Sequence, residues 1–266
     1  MNMRLKHHDE GRQVENDRLV YYNKTANQGF WEEVWLNDLT DEYYKPFREG
    51  KLFTFEKIFK RHLPKKGLIL EAGCGTSQLV LALNVLGYNC IGLDYAVKTL
   101  GRAQQLAGPL KLISGDLTML GFKNNAFEGI ISIGVVEHRR EGPQPFLEEK
   151  MRILKPGGVL LISVPYFNPL RRWRAWQGAY HADVSGLDFY QYAYGRHEFL
   201  HFLEDAGFKI EASYSYAHQD TLVQELRWMD AAPEPLKKFI LRVSKYVPYI
   251  NSELGHMFMA IARKPA

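Results

Sequence analysis

The chain has 266 residues, 46% of them hydrophobic and 24% charged, with a formal net charge of +4. That composition fills a core and carries no disorder signature, and so small a charge does not by itself point to nucleic acid. Two cysteines, Cys74 and Cys90, exclude a disulfide framework and have no metal-ligand spacing, so a reducing, cytoplasmic setting is expected.

In chain order, residues 1–20 read as a loosely held, flexible N-terminus. The stretch is charged and lacks the apolar segment of a secretory signal, and no apolar run reaches the roughly 20 residues that span a bilayer. Residues 21–64 read as a helical cap, with helices over Gln28–Asn37 and Pro46–His62 placed above the carboxyl edge of the sheet that follows. From Gly67, the segments GLILEAG, NCIGLDY, LKLISGD, FEGIISIG and GVLLISVP have the Ile, Leu and Val content of buried strands. Helical stretches near Gln78–Leu86, Ala96–Leu106 and Pro145–Leu154 lie between them, and Lys155-Pro156-Gly157-Gly158 stops the last of these. Strands alternating with helices imply right-handed crossovers and a largely parallel three-layer α/β domain over residues 65–266. Arg196–Ala206 reads as a further helix, Phe208–Tyr216 as a sixth strand and His256–Arg263 as the last. Two insertions, 165–195 and the mostly helical 220–250, are placed where a lid or acceptor site would lie.

The informative segment is Glu71-Ala72-Gly73-Cys74-Gly75-Thr76, at the end of the first buried strand and before a helix. Glycine there lets the backbone turn sharply and approach a ligand closely. Asp94, with Tyr95 after it, ends the next strand about 20 residues on, where a carboxylate reaches ribose hydroxyls. A dinucleotide site uses the same layout, but Gln78 stands where its third glycine belongs. An acidic Glu71 beside the loop also suits a cationic ligand better than a pyrophosphate.

These residues resemble motif I and its acidic partner in the class I S-adenosylmethionine-dependent methyltransferases. Ser114-Gly115-Asp116-Leu117, Ile131–His138 and Leu154–Gly158 resemble further segments of that family in order, most nearly its quinone-biosynthesis branch. The resemblance implies a Rossmann-like sandwich with a seven-stranded, mostly parallel sheet whose last strand is antiparallel, bearing an N-terminal helical cap and helical insertions. It implies S-adenosylmethionine held by Glu71–Thr76, Asp94, Tyr95, Asp116, Leu117 and Gly134; no set of carboxylates and histidines has ligand spacing, so no metal is expected.

Methyl transfer to oxygen needs alignment, exclusion of water and a base. His138, just after the fourth sheet strand, is the base candidate, though it reads equally well as a residue that fixes the following turn. His181 and Asp183 form a second pair, more simply a surface hydrogen bond. Trp31 and Trp35, one helical turn apart, either lid an apolar acceptor pocket or pack the helix onto the sheet. Tyr166 and Arg171 open the first insertion, where acceptor contacts are expected. The Arg171-Arg172-Trp173-Arg174-Ala175-Trp176 cluster reads as an anion clamp, an RNA contact or solvated arginines with two tryptophans anchoring the loop. Residues 234–247 are amphipathic and read as a helix packed on its own domain, or else as a peripheral membrane contact. The function expected is methylation of a small or lipid-linked metabolite, at oxygen. Action on RNA or protein and a non-catalytic S-adenosylmethionine-binding protein are the alternatives, and oligomeric state is left open.

Overall fold

Where the sequence suggests a loose N-terminus, a hairpin forms instead: β1 (Gly11–Glu15) pairs antiparallel with β2 (Arg18–Asn23). The computed structural model describes residues 11–266 apart from Lys24, Asp38 and Arg227, so the expectation for residues 1–10 lies outside the described residues. Asn16 and Asp17 join the two strands with φ of 49° and 62°, the left-handed pair of a two-residue turn that matches strand twist. Leu19, Val20, Tyr21 and Tyr22 of β2 are buried, which ties the hairpin down.

Helix α1 (Gln28–Leu36) begins at Asn27, whose side chain accepts the Phe30 amide hydrogen at 2.9 Å. The single helix expected over Pro46–His62 is two. One is α2 (Asp41–Arg48), capped by Thr40 and ended at Gly50 in the left-handed region, and the other is α3 (Glu56–His62). Then follow β3 (Leu68–Ala72), α4 (Gln78–Val85), β4 (Asn89–Asp94), α5 (Val97–Ala107), β5 (Leu112–Ser114), β6 (Phe127–Ile133), α6 (Gln144–Ile153) and β7 (Leu154–Pro165). The chain continues through α7 (Pro169–Trp176), β8 (Asp188–Ala193), α8 (Arg196–Asp205), β9 (Lys209–Tyr216), α9 (His218–Glu225), α10 (Trp228–Ala231), α11 (Glu234–Ser244), α12 (Pro248–Glu253) and β10 (Met257–Arg263).

Seven strands form one sheet in the order β5-β4-β3-β6-β7-β10-β9, parallel except that β10 runs antiparallel to both its neighbours. Period-two alternation divides its side chains between two cores. Leu70, Ile130, Leu160 and Ile162 pack with Leu147 of α6 and Phe199 and Leu203 of α8. Ile69, Ile131, Leu161 and Ile261 pack with Tyr44, Phe59, Leu79 and Leu100 from α2 to α5. The result is a Rossmann-like three-layer sandwich. The strand order reverses between β3 and β6, which run parallel, and this opens a crevice at their carboxyl ends.

The 165–195 insertion is ordered. Its strand β8 pairs antiparallel with β2, so the N-terminal hairpin and the insertion make a second, three-stranded sheet beside the crevice. Among the described residues, no helix is long and apolar enough to cross a membrane.

Candidate active site

A cavity of about 330 Å³ lies at that crevice, and its wall includes Gly73, Gly75, Asp94, Tyr95, Asp116, Leu117 and Gly134. Trp31, Trp35, Val135, His138, Arg139 and Phe146 face them. Ten of the residues expected from sequence to touch cofactor or acceptor therefore meet in one place. Ala26, Thr118, Ile133, Val135, Arg139 and Phe146 complete the wall without having been expected as contacts, because no motif singles them out.

The turn after β3 is built for close approach. Gly73 sits at φ +86°, and a Cβ there would stand 2.4 Å from Val135 Cγ2. Its amide and that of Cys74 donate to the Leu93 carbonyl at 2.8 and 3.1 Å, which locks the turn to the tip of β4. Asp94 then fixes both strand ends, since Oδ2 accepts from Gly75 N at 2.8 Å and Oδ1 from Ala96 N at 2.9 Å. Burial lifts its pKa, opposed by those backbone donors. Each oxygen keeps a lone pair for a ligand hydroxyl. Asp116 spends Oδ1 on the amide and hydroxyl of Thr118, at 2.7 and 2.8 Å.

Four of the expected cofactor residues stand behind the wall. Ala72 is fully buried, and the Cys74 thiol packs in the core that holds α4. Thr76 hydrogen-bonds Tyr43 and Gln78. Glu71 accepts the Val80 amide hydrogen at 3.0 Å, holding the first turn of α4 rather than facing the cavity. Desolvation, with the nearby charge of Asp94 adding to it, pushes the Glu71 pKa up to about 8.

The opposite wall is aromatic. Trp31 and Trp35 stack with ring centres 5.6 Å apart, and Trp31 meets the His138 ring edge-on at 4.9 Å. His138 ends a single 3₁₀ turn, Val136–His138, after β6. Its Nδ1 lies 2.9 Å from the Tyr190 carbonyl of β8. A carbonyl only accepts, so Nδ1 carries the hydrogen and Nε2 keeps its lone pair. Burial drives the His138 pKa down to about 4, so the ring is neutral at physiological pH. Beside it Glu137, whose Oε2 is buried without a partner among the described residues, is pushed up to about 8 by burial.

Three expected acceptor residues lie elsewhere. Arg171 is fully buried and structural: it donates to Glu225, Tyr166 O, His256 and Gln224. Glu225 also binds Arg12, Arg174 and the Tyr180 hydroxyl, so one carboxylate gathers three guanidiniums. Tyr166 is buried against Phe258, and His181 is an exposed bridge partner of Gln13. Asp183 caps its own loop through the Ser185 amide at 2.9 Å.

A family model described as a methyltransferase domain matches residues 70–162, the span that carries the glycine turn, both acidic strand tips and His138. The matched span, the relatives and the fold together support a class I S-adenosylmethionine-dependent methyltransferase. Its similarities spread well across that family. A Mycolicibacterium smegmatis protein named a probable S-adenosylmethionine-dependent methyltransferase is 28% identical over 153 residues, 56% of this chain and 55% of that one. The mitochondrial ubiquinone biosynthesis O-methyltransferase of Dictyostelium discoideum is 30% identical over 170 residues, 55% of this chain and 52% of that one. In each case the methyltransferase's matched stretch spans about half the length of the relative. The solved S-adenosylmethionine-dependent methyltransferase of Thermotoga maritima shares the fold, with a TM-score of 0.55 at 17% identity over 90% of this chain and 100% of that one.

Proposed function

We propose that this methyltransferase methylates a hydroxyl of a small or lipid-linked metabolite, with His138 as the base. The observation that carries this reading is the single lone pair at His138 Nε2, on a neutral ring that also lines the cofactor cavity. The cavity suits S-adenosylmethionine: the Gly73 and Gly75 turn brings bare backbone to its wall, and the carboxylates of Asp94 and Asp116 have unused acceptor capacity. The cofactor supplies a methyl group activated on a sulfonium sulfur.

Asp94 would hold the ribose hydroxyls, and Asp116 with the Leu117 amide would hold the adenine. The backbone around Gly73 and Gly134 would hold the methionine end. Trp31, Trp35 and Phe146 keep water from the reacting centre, where it would compete and weaken every polar contact. As the acceptor oxygen is methylated, His138 Nε2 takes its proton, while the bond from Nδ1 to Tyr190 keeps the ring aimed. The likeness to a ubiquinone O-methyltransferase supports an oxygen acceptor.

Incubating the protein with methyl-tritiated S-adenosylmethionine and fractionated cell extract tests the reading. Label entering the small-molecule or lipid fraction as a methyl ether, and lost in His138→Ala, is the expected result. Label confined to protein or nucleic acid would overturn it.

A further inference from the structure

Helix α11 is rotated so that much of its apolar stripe faces outward. The expected arrangement puts its apolar stripe against the domain, yet Lys237, Ile240 and Leu241 are only partly exposed and Ser244 is buried. The Gln219 side chain of α9 anchors this inner face by donating to the Leu241 carbonyl at 2.6 Å. Leu236, Phe239 and Val243 are left 46%, 63% and 43% exposed, and the stripe continues into the connection to α12 with Tyr246, Val247 and Tyr249, also exposed. Monomeric proteins scatter exposed apolar residues singly, so a stripe at helical spacing marks a contact surface.

We propose that the outer face of α11 and the start of α12 docks on an anionic phospholipid bilayer. Lys238, Arg242 and Lys245 lie along one edge of the stripe, and among the described residues no acidic side chain pairs with them. Lys237 alone on this helix is neutralised, by Glu234 at 3.2 Å. Unpaired cations beside exposed Phe, Tyr and Val side chains form the pattern of a helix lying in a membrane interface: the rings enter the headgroup boundary while the cations meet lipid phosphates. A second copy fits less well. A two-fold contact through this stripe would bring two like sets of three cations together, and interface cores are depleted in lysine. The surface exists independently of the acceptor; its purpose, presenting the cavity to a lipid-linked acceptor, rests on the function proposed above.

Cosedimentation of the full chain with vesicles tests it, using pure phosphatidylcholine against phosphatidylcholine mixed with phosphatidylglycerol. Binding to the mixed vesicles and its weakening by added salt are expected. The triple variant K238Q/R242Q/K245Q should lose about fivefold per charge, about a hundredfold in all. Phe239→Ser should cost about tenfold, and because these side chains are exposed both variants stay folded. Calorimetric S-adenosylmethionine binding by the same samples should be unchanged, which separates a failed membrane surface from a failed active site. A protein that binds the cofactor but neither vesicle overturns the proposal. So does vesicle binding indifferent to both variants, or a dimer in solution that Phe239→Ser dissociates.

Discussion

The cavity wall formed by Gly73, Gly75, Asp94, Asp116, Leu117 and Gly134 comes from the ends of parallel strands, whereas the facing wall of Trp31, Trp35, His138, Arg139 and Phe146 comes from α1, the turn after β6 and α6. The first wall needs only the sheet: parallel register brings the β3 and β4 tips together, and Asp94 ties them through two backbone amides. The second depends on elements outside the domain's repeating pattern. His138 is aimed by a carbonyl of β8, and β8 is held by a hairpin that begins at Gly11. The wall proposed for the cofactor is thus set by topology, while the wall proposed for the acceptor is assembled from parts joined over long distances in sequence.

His138→Ala breaks the second wall most severely. Turnover should fall by about 10²- to 10⁴-fold, the usual contribution of a positioned base, with cofactor affinity retained. In the wild type, rate should stay level through neutrality and decline on the acid side toward the low pKa of about 4, because only neutral His138 accepts a proton. A decline centred near the ordinary value of 6.5 would remove the buried base from the account.

The insertion's contribution is separable by Arg171→Ala. Removing one member of a buried ion cluster should cost about 3–5 kcal/mol of stability in urea unfolding. Arg172→Ala, at a half-exposed surface pair with Asp17, should stay within about 0.5 kcal/mol. An Arg171 variant of normal stability that fails only with acceptor would return this arginine to the acceptor site.

A pH-dependent effect belongs to the first wall's support. Glu71 has a folded pKa of about 8 against an ordinary 4.5, so it binds its proton more tightly folded than unfolded. Its contribution is complete below about pH 4.5 and is lost as pH rises through 8. The stability advantage of wild type over Glu71→Gln should therefore shrink steadily across that window in denaturation measured at each pH.

The strands and the cofactor wall were legible because each is a local pattern: an apolar run, a glycine turn and a carboxylate at fixed spacing. The hairpin was less so, although Asn16-Asp17 between the runs GRQVE and RLVYYN is a two-residue turn signal. Arg171 was misplaced for a different reason. A basic cluster looks the same whether solvated or paired, and its partners Glu225 and His256 lie 54 and 85 residues away. The α11 pattern correctly located the apolar stripe but not its direction, which the docking of α9 decides.

The most direct test is calorimetric binding of S-adenosylmethionine and S-adenosylhomocysteine to wild type and Asp94→Ala. The account predicts clear binding by wild type and a loss of about 1.5–3 kcal/mol in the variant, roughly ten- to a hundredfold, since a carboxylate's charge-strengthened bonds are removed. Wild-type protein that is folded yet binds neither ligand, or a variant that binds as tightly as wild type, would contradict it.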